Sequence, residues 1–429
     1  MRRSSFLAGV GLTALAGTLA GCTPGFSRNK PEGDGIRLRM TTWSSNPEQL
    51  DLFAEIADEF MADNPEVTDI SFESLTLDQL DMVLSTGITA DDAPDLSWLP
   101  VESSLEYMDA GALLDVTPAL ESTEGYDVDD LVPKLQEPWR DGSAQYGVPF
   151  STGPFIMYYN KDLYSKAGVP APDQLLEDDT WDWETFREVS RRITDETGVP
   201  GYVVNDFDFR NWTRLLPVLN AYGASPWSED ASQCTADSHE MREALGIFTT
   251  MVFDDRSSPV PGQQVDFFGG QAGATSAFLG ASSLLEDADF EWDIVPTPGG
   301  PAGDLQSVGQ SAIVALTAGK HHEQALDFLA FLTNAKNAER ISRYYPPARS
   351  SLLNAKVLAE SSGLLTPRQL EPIVRSIAKR GQIFPVARNG ARVANALDSS
   401  FDEFVYVPDV DLDDALPRVC DAIEPVLSI

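Results

Sequence analysis

The chain reads as an α/β protein, because strand and helix signals alternate from residue 36 onward, the helices carry explicit caps, and aromatic residues sit where strands end. Ile36 to Met40 alternates apolar and polar residues and runs through Thr41 and Thr42 into Trp43, a first strand ending in an aromatic. A helix follows at once. Asn46 is the N-cap, Pro47 suits the first helical position, Gln49 completes a capping box, and Leu50, Phe53, Ile56, Ala57 and Phe60 form the apolar face. Asn64-Pro65 stops it. Val67 to Leu75 is a second strand with Ile70 and Phe72 on one face, Leu77 to Ser85 a short helix closed by Gly87, and Pro94 to Leu99 a third strand. This βαβαβ order calls for a parallel sheet with right-handed crossovers, whose ligands bind beyond the carboxyl ends of the strands. Trp43 and Trp98 stand at such ends.

A second α/β stretch begins near residue 150. It holds a strand from Phe155 to Tyr159, a helix from Trp183 to Thr194 before Gly198, and a strand from Tyr202 to Asn205. Helices follow around Trp212–Leu219 and His239–Phe253, then a strand from Trp292 to Val295. A third stretch has a strand Ser311 to Leu316 and an amphipathic helix Glu323 to Thr333; the acidic tail from Asp409 ends in a short apolar helix. No internal repeat of fixed period is present.

The first residues are not part of this fold. Arg2-Arg3 precede an apolar stretch from Phe6 to Gly21, shorter than the roughly 20 residues a spanning helix needs, and Leu19-Ala20-Gly21-Cys22 has the form of a lipoprotein cleavage site. Residues 1–22 are therefore expected to be a signal peptide with lipidation at Cys22, through the general or the twin-arginine export route, and residues 23–35 a flexible tether. The remaining chain would work outside the cytoplasm, held to the cell membrane by the N-terminal lipid only. A formal charge of −37 argues against nucleic acid as a partner and reads as a solubility device. Cys234 and Cys420 would remain, as one long bridge or as two separate thiols.

Several motifs together resemble the sugar-type extracellular solute-binding proteins of ATP-driven importers, the group that includes maltose-binding protein. They are Thr42-Trp43-Ser44, Ala93-Pro94-Asp95-Leu96, Gly111 to Val116, Tyr146-Gly147-Val148-Pro149, Tyr158 to Tyr164, Trp181 to Phe186, Trp292 to Pro298 and Ser307-Val308-Gly309-Gln310. The resemblance implies a two-lobed, periplasmic-binding-protein-like fold of class II, with hinge-connected lobes and the ligand in the cleft between them. The lobes would comprise residues 35–150 (first), 151–308 (second) and 309–345 (return to the first), with a shared C-terminal segment over 346–429. Crossings would fall near Ser151–Phe155, Val308–Ser311 and Pro346–Arg349. It also implies a monomeric receptor that delivers a sugar to the transmembrane subunits of an ABC permease with a cytoplasmic ATPase.

Sugars present hydroxyls around the rim and weakly apolar ring faces, so flat aromatics with amides, carboxylates and Arg forks are the residues that hold them. Trp43, Trp98 and Trp212 are the stacking candidates. The polar candidates are Ser44, Asn46, Asp95, Thr152, Asn205, Gln310 and Arg349, joined by Gly153 and Phe207; Asp95 has the alternative role of capping a strand turn. Gly153 stands where some relatives place a ligand-binding carboxylate, and Ser282 where many carry a Trp, so a mono- or oligosaccharide other than a long maltodextrin, or a small polyol, fits better.

Catalysis and cofactors are not expected. The histidines, His239, His321 and His322, all lie at predicted helix starts, and His322-Glu323 lacks the second His of a zinc helix. Asp409, Asp411 and Asp413 match a calcium loop for three positions only, with Asp414 and Cys420 where Gly and Glu are needed. Two rival classes stand beside the receptor: a glycoside hydrolase, because 67 acidic residues supply many carboxylate pairs, and a lipoprotein adhesin without a small-molecule ligand.

Overall fold

The computed structural model describes residues 35–44 and 46–427. The expected signal peptide, Cys22 and the tether up to residue 34 lie outside the described residues. The strands are β1 Ile36–Thr42, β2 Val67–Ser74, β3 Leu96–Pro100, β4 Arg140–Asp141, β5 Ala144–Gln145, β6 Val148–Asn160, β7 Tyr202–Val204, β8 Ala274–Phe278, β9 Trp292–Pro296, β10 Gln306–Ala315 and β11 Gly381–Ile383. Apart from the β4–β5 hairpin they share one sheet, in the order β2-β1-β3-β10-β6-β8-β7, with β11 on β10 and β9 on β6.

Two strands are long enough to serve both halves of this sheet. At about 3.3 Å per residue, the 13 residues of β6 span about 40 Å. The first half of β6, with Ser311–Ala315 of β10, joins the parallel β1, β2 and β3. Its second half, Phe155–Asn160, pairs with β8 and β9. Between them Gly309 and Gln310 face Gly153 and Thr152, and no third strand joins this pair among the described residues. A bulge follows at Ser311/Ala312. Two strands that cross alone from one half of the sheet to the other are the shape a hinge takes.

One buried cluster runs through both halves, joining Leu99, Trp139 and Val314 of the first to Phe155, Trp183 and Trp212 of the second by way of Phe384, Leu397 and Phe401, and each half has further packing of its own. In the first, Leu38, Met40, Phe53, Phe60, Trp98, Phe328 and Leu329 are buried together between the sheet and the helices Pro47–Asp63 and His322–Thr333. In the second, Ile156, Tyr158, Leu358, Leu370 and Ile373 pack the helices Ala355–Ser362 and Pro367–Arg380 onto one face. Phe155, Met157, Trp183, Phe186 and Trp212 fill the other.

Several elements differ from the sequence reading. Asn46 caps its helix, accepting from the N–H groups of Glu48 and Gln49, but Gln49 returns no bond: its side chain turns inward, where its Oε1 accepts from Ser44 Oγ and Tyr345 Oη. The helix expected to stop at Gly87 runs from Leu77 to Ala90 and is closed by Asp91 in the left-handed region (φ 54°). Gly87 is there for close packing, since a Cβ would lie 2.9 Å from Ala93 Cα. The helix from Trp212 is a tight turn, Trp212–Leu215, followed by Leu216–Tyr222, because Pro217 can stand only in a first turn. The final helix, Leu412–Leu427, has 16 residues and is not short; Cys420 within it is bonded to Cys234, with Cα atoms 5.5 Å apart.

Candidate functional site

A groove of about 1220 Å³ opens between the two halves. One wall is the end of β1 and the start of the following helix, with Trp43, Ser44, Asn46 and Gln49, together with Tyr344, Tyr345 and Pro346. The other is built by Leu279–Glu286, just past β8, and by Ser362–Leu365 and Leu370. Trp43 reaches the groove because β1 ends there, in keeping with ligand binding beyond strand carboxyl ends.

The indole of Trp43 is half-buried and stacks on Trp98, with centroids 4.3 Å apart and planes 27° from parallel. Trp98 itself is 1% exposed, boxed in by the edges of Phe150 and Tyr345. It supports Trp43 from beneath and offers no face to the groove, which corrects its expected role as a stacking platform. Trp212 is also buried, edge-on to Trp227, with its backbone N–H donating to Asp398.

The polar candidates divide. Asp95 is 3% exposed and accepts from the backbone N–H groups of Arg39, Lys320 and His321, so it ties the start of β3 to a loop at the edge away from the groove. The capping alternative describes it. Arg349 is 1% exposed and holds the carbonyls of Tyr126, Asp127 and Thr333 and the carboxylate of Asp130, above the ring of Tyr126. A guanidinium so fully committed has no fork left for a ligand. Thr152 donates through both N–H and Oγ1 to the carbonyl of Pro346, fastening the segment around Pro346 to the hinge strands. Gln310, 5% exposed, has both amide atoms unpartnered, and Gln49 Nε2 and Tyr344 Oη at the groove wall are likewise buried without partners among the described residues. Asn205 and Phe207 line a separate cavity of about 420 Å³ past the end of β7, with Asp206, Asp208 and Phe209.

The sequence reading did not find a charged pair drawn from the two halves, Glu102 and Arg214. Glu102 lies two residues past β3, and burial raises its carboxyl above the usual carboxylate range, against its own backbone N–H and the nearby Arg214 guanidinium. Burial lowers Arg214 in turn, while Asp206 and Glu102 favour its charged form. Its guanidinium lies 4.8 Å from the Phe278 ring centre and 5.8 Å from that of Phe155, and Phe278 stacks on Phe155 at 4.3 Å. Gly153 and Gly309, opposite one another in the hinge, make room for these rings: a Cβ on either would come within 3.1–3.2 Å of Phe278. Glu102 has the position the strand-end rule asks for, but among so many carboxylates nothing marks it. Arg214 is recognisable only once β6, β8 and β10 are side by side.

Among the described residues there is no cluster of three or more His, Cys, Asp or Glu side chains placed to hold a metal ion. What the arrangement offers is a polar, aromatic-edged groove between two bodies joined by thin strands.

The family model for bacterial extracellular solute-binding proteins matches residues 44–339. An arabinooligosaccharide-binding protein of Bacillus subtilis is 24% identical over 80% of this chain and 80% of its own. A lactose-binding protein of Rhizobium radiobacter is 22% identical over 68% and 69%, and an uncharacterized lipoprotein of Streptomyces antibioticus 24% over 77% and 73%. Among solved structures, an ABC substrate-binding protein from Listeria monocytogenes in complex with cycloalternan superposes with a TM-score of 0.78, at 24% identity, over 92% of this chain and all of that one. A cyclic alpha-maltosyl-1,6-maltose binding protein from Arthrobacter globiformis gives 0.77 at 20% identity, over 92% and 99%. The α/β fold is thus the two-lobed one of these binding proteins.

Proposed function

The chain belongs to the bacterial extracellular solute-binding protein family, and from that membership we propose that it is the receptor that captures a mono- or oligosaccharide in the interlobe groove and delivers it, chemically unchanged, to an ABC permease. Family members bind and hand over solutes without catalysis. The observation that carries the sugar reading is the groove itself: about 1220 Å³ with an indole face from one side, buried unpartnered amide and hydroxyl groups along its wall, and a two-strand hinge behind it. The names of relatives that bind arabino-oligosaccharides and lactose support it.

In this reading the first lobe comprises residues 35–150 and 309–345 and the second 151–308, with 346–429 shared, and the contact residues are Trp43, Ser44, Asn46 and Gln310. Ligand binds the closed form better and shifts the equilibrium toward it, and the permease reads closure. Anchoring by a lipid on Cys22, with the protein monomeric on the outer side of the membrane, is supported by the leader pattern and by the relative described as a lipoprotein.

Calorimetry against a panel of arabino-, malto- and galacto-oligosaccharides tests the reading. One of them gives a saturable one-to-one complex from which the same sugar is recovered. Turnover to shorter products at catalytic amounts of protein would replace the receptor by a glycosidase, and the absence of heat with every sugar would remove the carbohydrate assignment.

A further inference from the structure

Gln49 does not take the role its position offers. Third in the helix Pro47–Asp63, behind the N-cap Asn46, it has the place from which a glutamine closes a capping box on the N-cap N–H. That N–H donates instead to Ser44 Oγ at 3.2 Å, and Gln49, 1% exposed, is part of the groove wall. There its Oε1 accepts from Ser44 Oγ and, at 3.1 Å, from Tyr345 Oη, so both lone pairs of the oxygen are occupied. Its Nε2 has no partner among the described residues. A buried amide with its donors unmade is unfavourable unless something completes it, and a local rule broken at such a cost is what functional positions show.

The surroundings hold that amide in one orientation. The backbone N–H of Asn46 can only donate, so it takes a lone pair of Ser44 Oγ and leaves the hydroxyl hydrogen for Gln49. Tyr345 is held by its ring, edge-on to Trp98 with centroids 5.3 Å apart, and Trp98 is the ring on which Trp43 stacks. One packed unit thus fixes both the indole that borders the groove and the amide beside it. Asn46 Oδ1 is occupied too, by the N–H groups of Glu48 and Gln49. We propose that Gln49 is a ligand-binding residue whose Nε2 donates to a rim oxygen of the sugar unit stacked on Trp43, and that Ser44 and Tyr345 are positioning residues that hold its amide for that bond. This rests on the reading of the groove as a carbohydrate site. It adds what this wall asks of the ligand: an acceptor oxygen, whether hydroxyl, ring or glycosidic, at the edge of the unit whose apolar face meets the indole.

Native mass spectrometry with a mixture of neutral arabino-, malto- and galacto-oligosaccharides tests it, followed by titration of the wild-type protein and its variants with the sugar the wild type retains. Gln49→Met, which keeps the length of the side chain without its donors, should weaken binding by at least about tenfold. Tyr345→Phe keeps the ring against Trp98 and removes one of the two hydroxyls that hold the amide, and should weaken binding about threefold or more. Because Tyr345 acts through Gln49, the double variant should bind no worse than Gln49→Met alone, a coupling that loss of packing at two separate places would not produce. A folded Gln49→Met protein that binds like wild type overturns the role of Gln49, and leaves its Nε2 as the holder of a water. Losses that simply add in the double variant overturn the positioning role of Tyr345. Should Gln49→Met fail to fold, Tyr345→Phe and Ser44→Ala decide: weaker binding in both supports the proposal, and wild-type binding in both overturns it. No adduct of any of these sugars on the wild-type protein would overturn the carbohydrate reading itself, and this proposal with it.

Discussion

At Trp43 the structure separates two uses of one residue type. Its indole has one face on Trp98 and the other toward the groove, whereas Trp98 is enclosed. Trp43→Ala is therefore expected to weaken sugar binding about tenfold or more while shifting the melting temperature little, as read by calorimetry and thermal unfolding. Arg349 gives the opposite expectation. Replacing it with Met leaves the buried carbonyls of Tyr126 and Thr333 without a side-chain donor and the Asp130 carboxylate with Ser351 but without its cation, so chemical denaturation should show a loss of about 3–5 kcal/mol with sugar affinity unchanged in the folded fraction. Asp398 gives a pH signature. Burial pushes its carboxyl up to about 6, partly offset by the N–H of Trp212. The folded protein then holds this proton more tightly than the unfolded chain, whose Asp titrates near 3.9, so its contribution to stability falls as pH rises from about 4 through about 6. Asp398→Asn keeps an acceptor for Trp212 without the charge. Its melting temperature should match wild type near pH 4, exceed it increasingly up to about pH 6 and keep a constant lead above that; a difference independent of pH throughout would contradict the account. Sequence alone could propose Trp43, because a strand end is visible in a local pattern. It could not separate Trp43 from Trp98, nor single out Glu102 and Arg214, since burial and stacking depend on segments far apart in the chain.

Among the elements, those defined by local chemistry were readable and those defined by distant partners were not. Capped amphipathic helices such as Pro47–Asp63 and Trp183–Thr197 stand out through Asn46 and Asp182 and their buried faces. Only Phe155–Tyr159 of β6 showed itself, because Pro149, Gly153 and Pro154 break the pattern of an ordinary interior strand; they are tolerated where the strand crosses the hinge. The helix Pro367–Arg380 has an apolar face of Leu370, Ile373, Val374 and Ile377, but Pro372 within it argues locally against a helix, and it takes the packing on β9 and β10 to hold it. The bridge between Cys234 and Cys420, 186 residues apart, fastens the helix Leu412–Leu427 to the second half of the molecule. In the chain-entropy picture a closed loop of that size contributes up to about 5 kcal/mol. Cys420→Ser, or reduction of the wild type, should therefore lower the melting temperature and speed amide exchange in that helix first; an unchanged melt under reductant would contradict the bridge.

For the whole molecule, the central feature is that two packed halves meet through Thr152–Gly153 and Gly309–Gln310, steadied by the Pro346 segment, with the groove beside them. So thin a connection within the sheet favours hinge motion there, while the buried cluster around Leu397 and Phe401 links the halves on one side. The alternation of strands and helices sufficed to foresee a parallel α/β sheet, because such topology is restricted by chirality and connection rules; the two lobes and the hinge were implied only by the resemblance that the ordered motifs carry. The detailed shape of the groove was beyond them. The most direct measurement is small-angle X-ray scattering of the protein with and without a saturating saccharide chosen by calorimetry. The account predicts a smaller radius of gyration and a changed scattering profile on binding, both reduced or lost at the same sugar concentration in Trp43→Ala. A sugar that binds stoichiometrically yet leaves the wild-type profile unaltered would contradict closure of the two halves around the ligand.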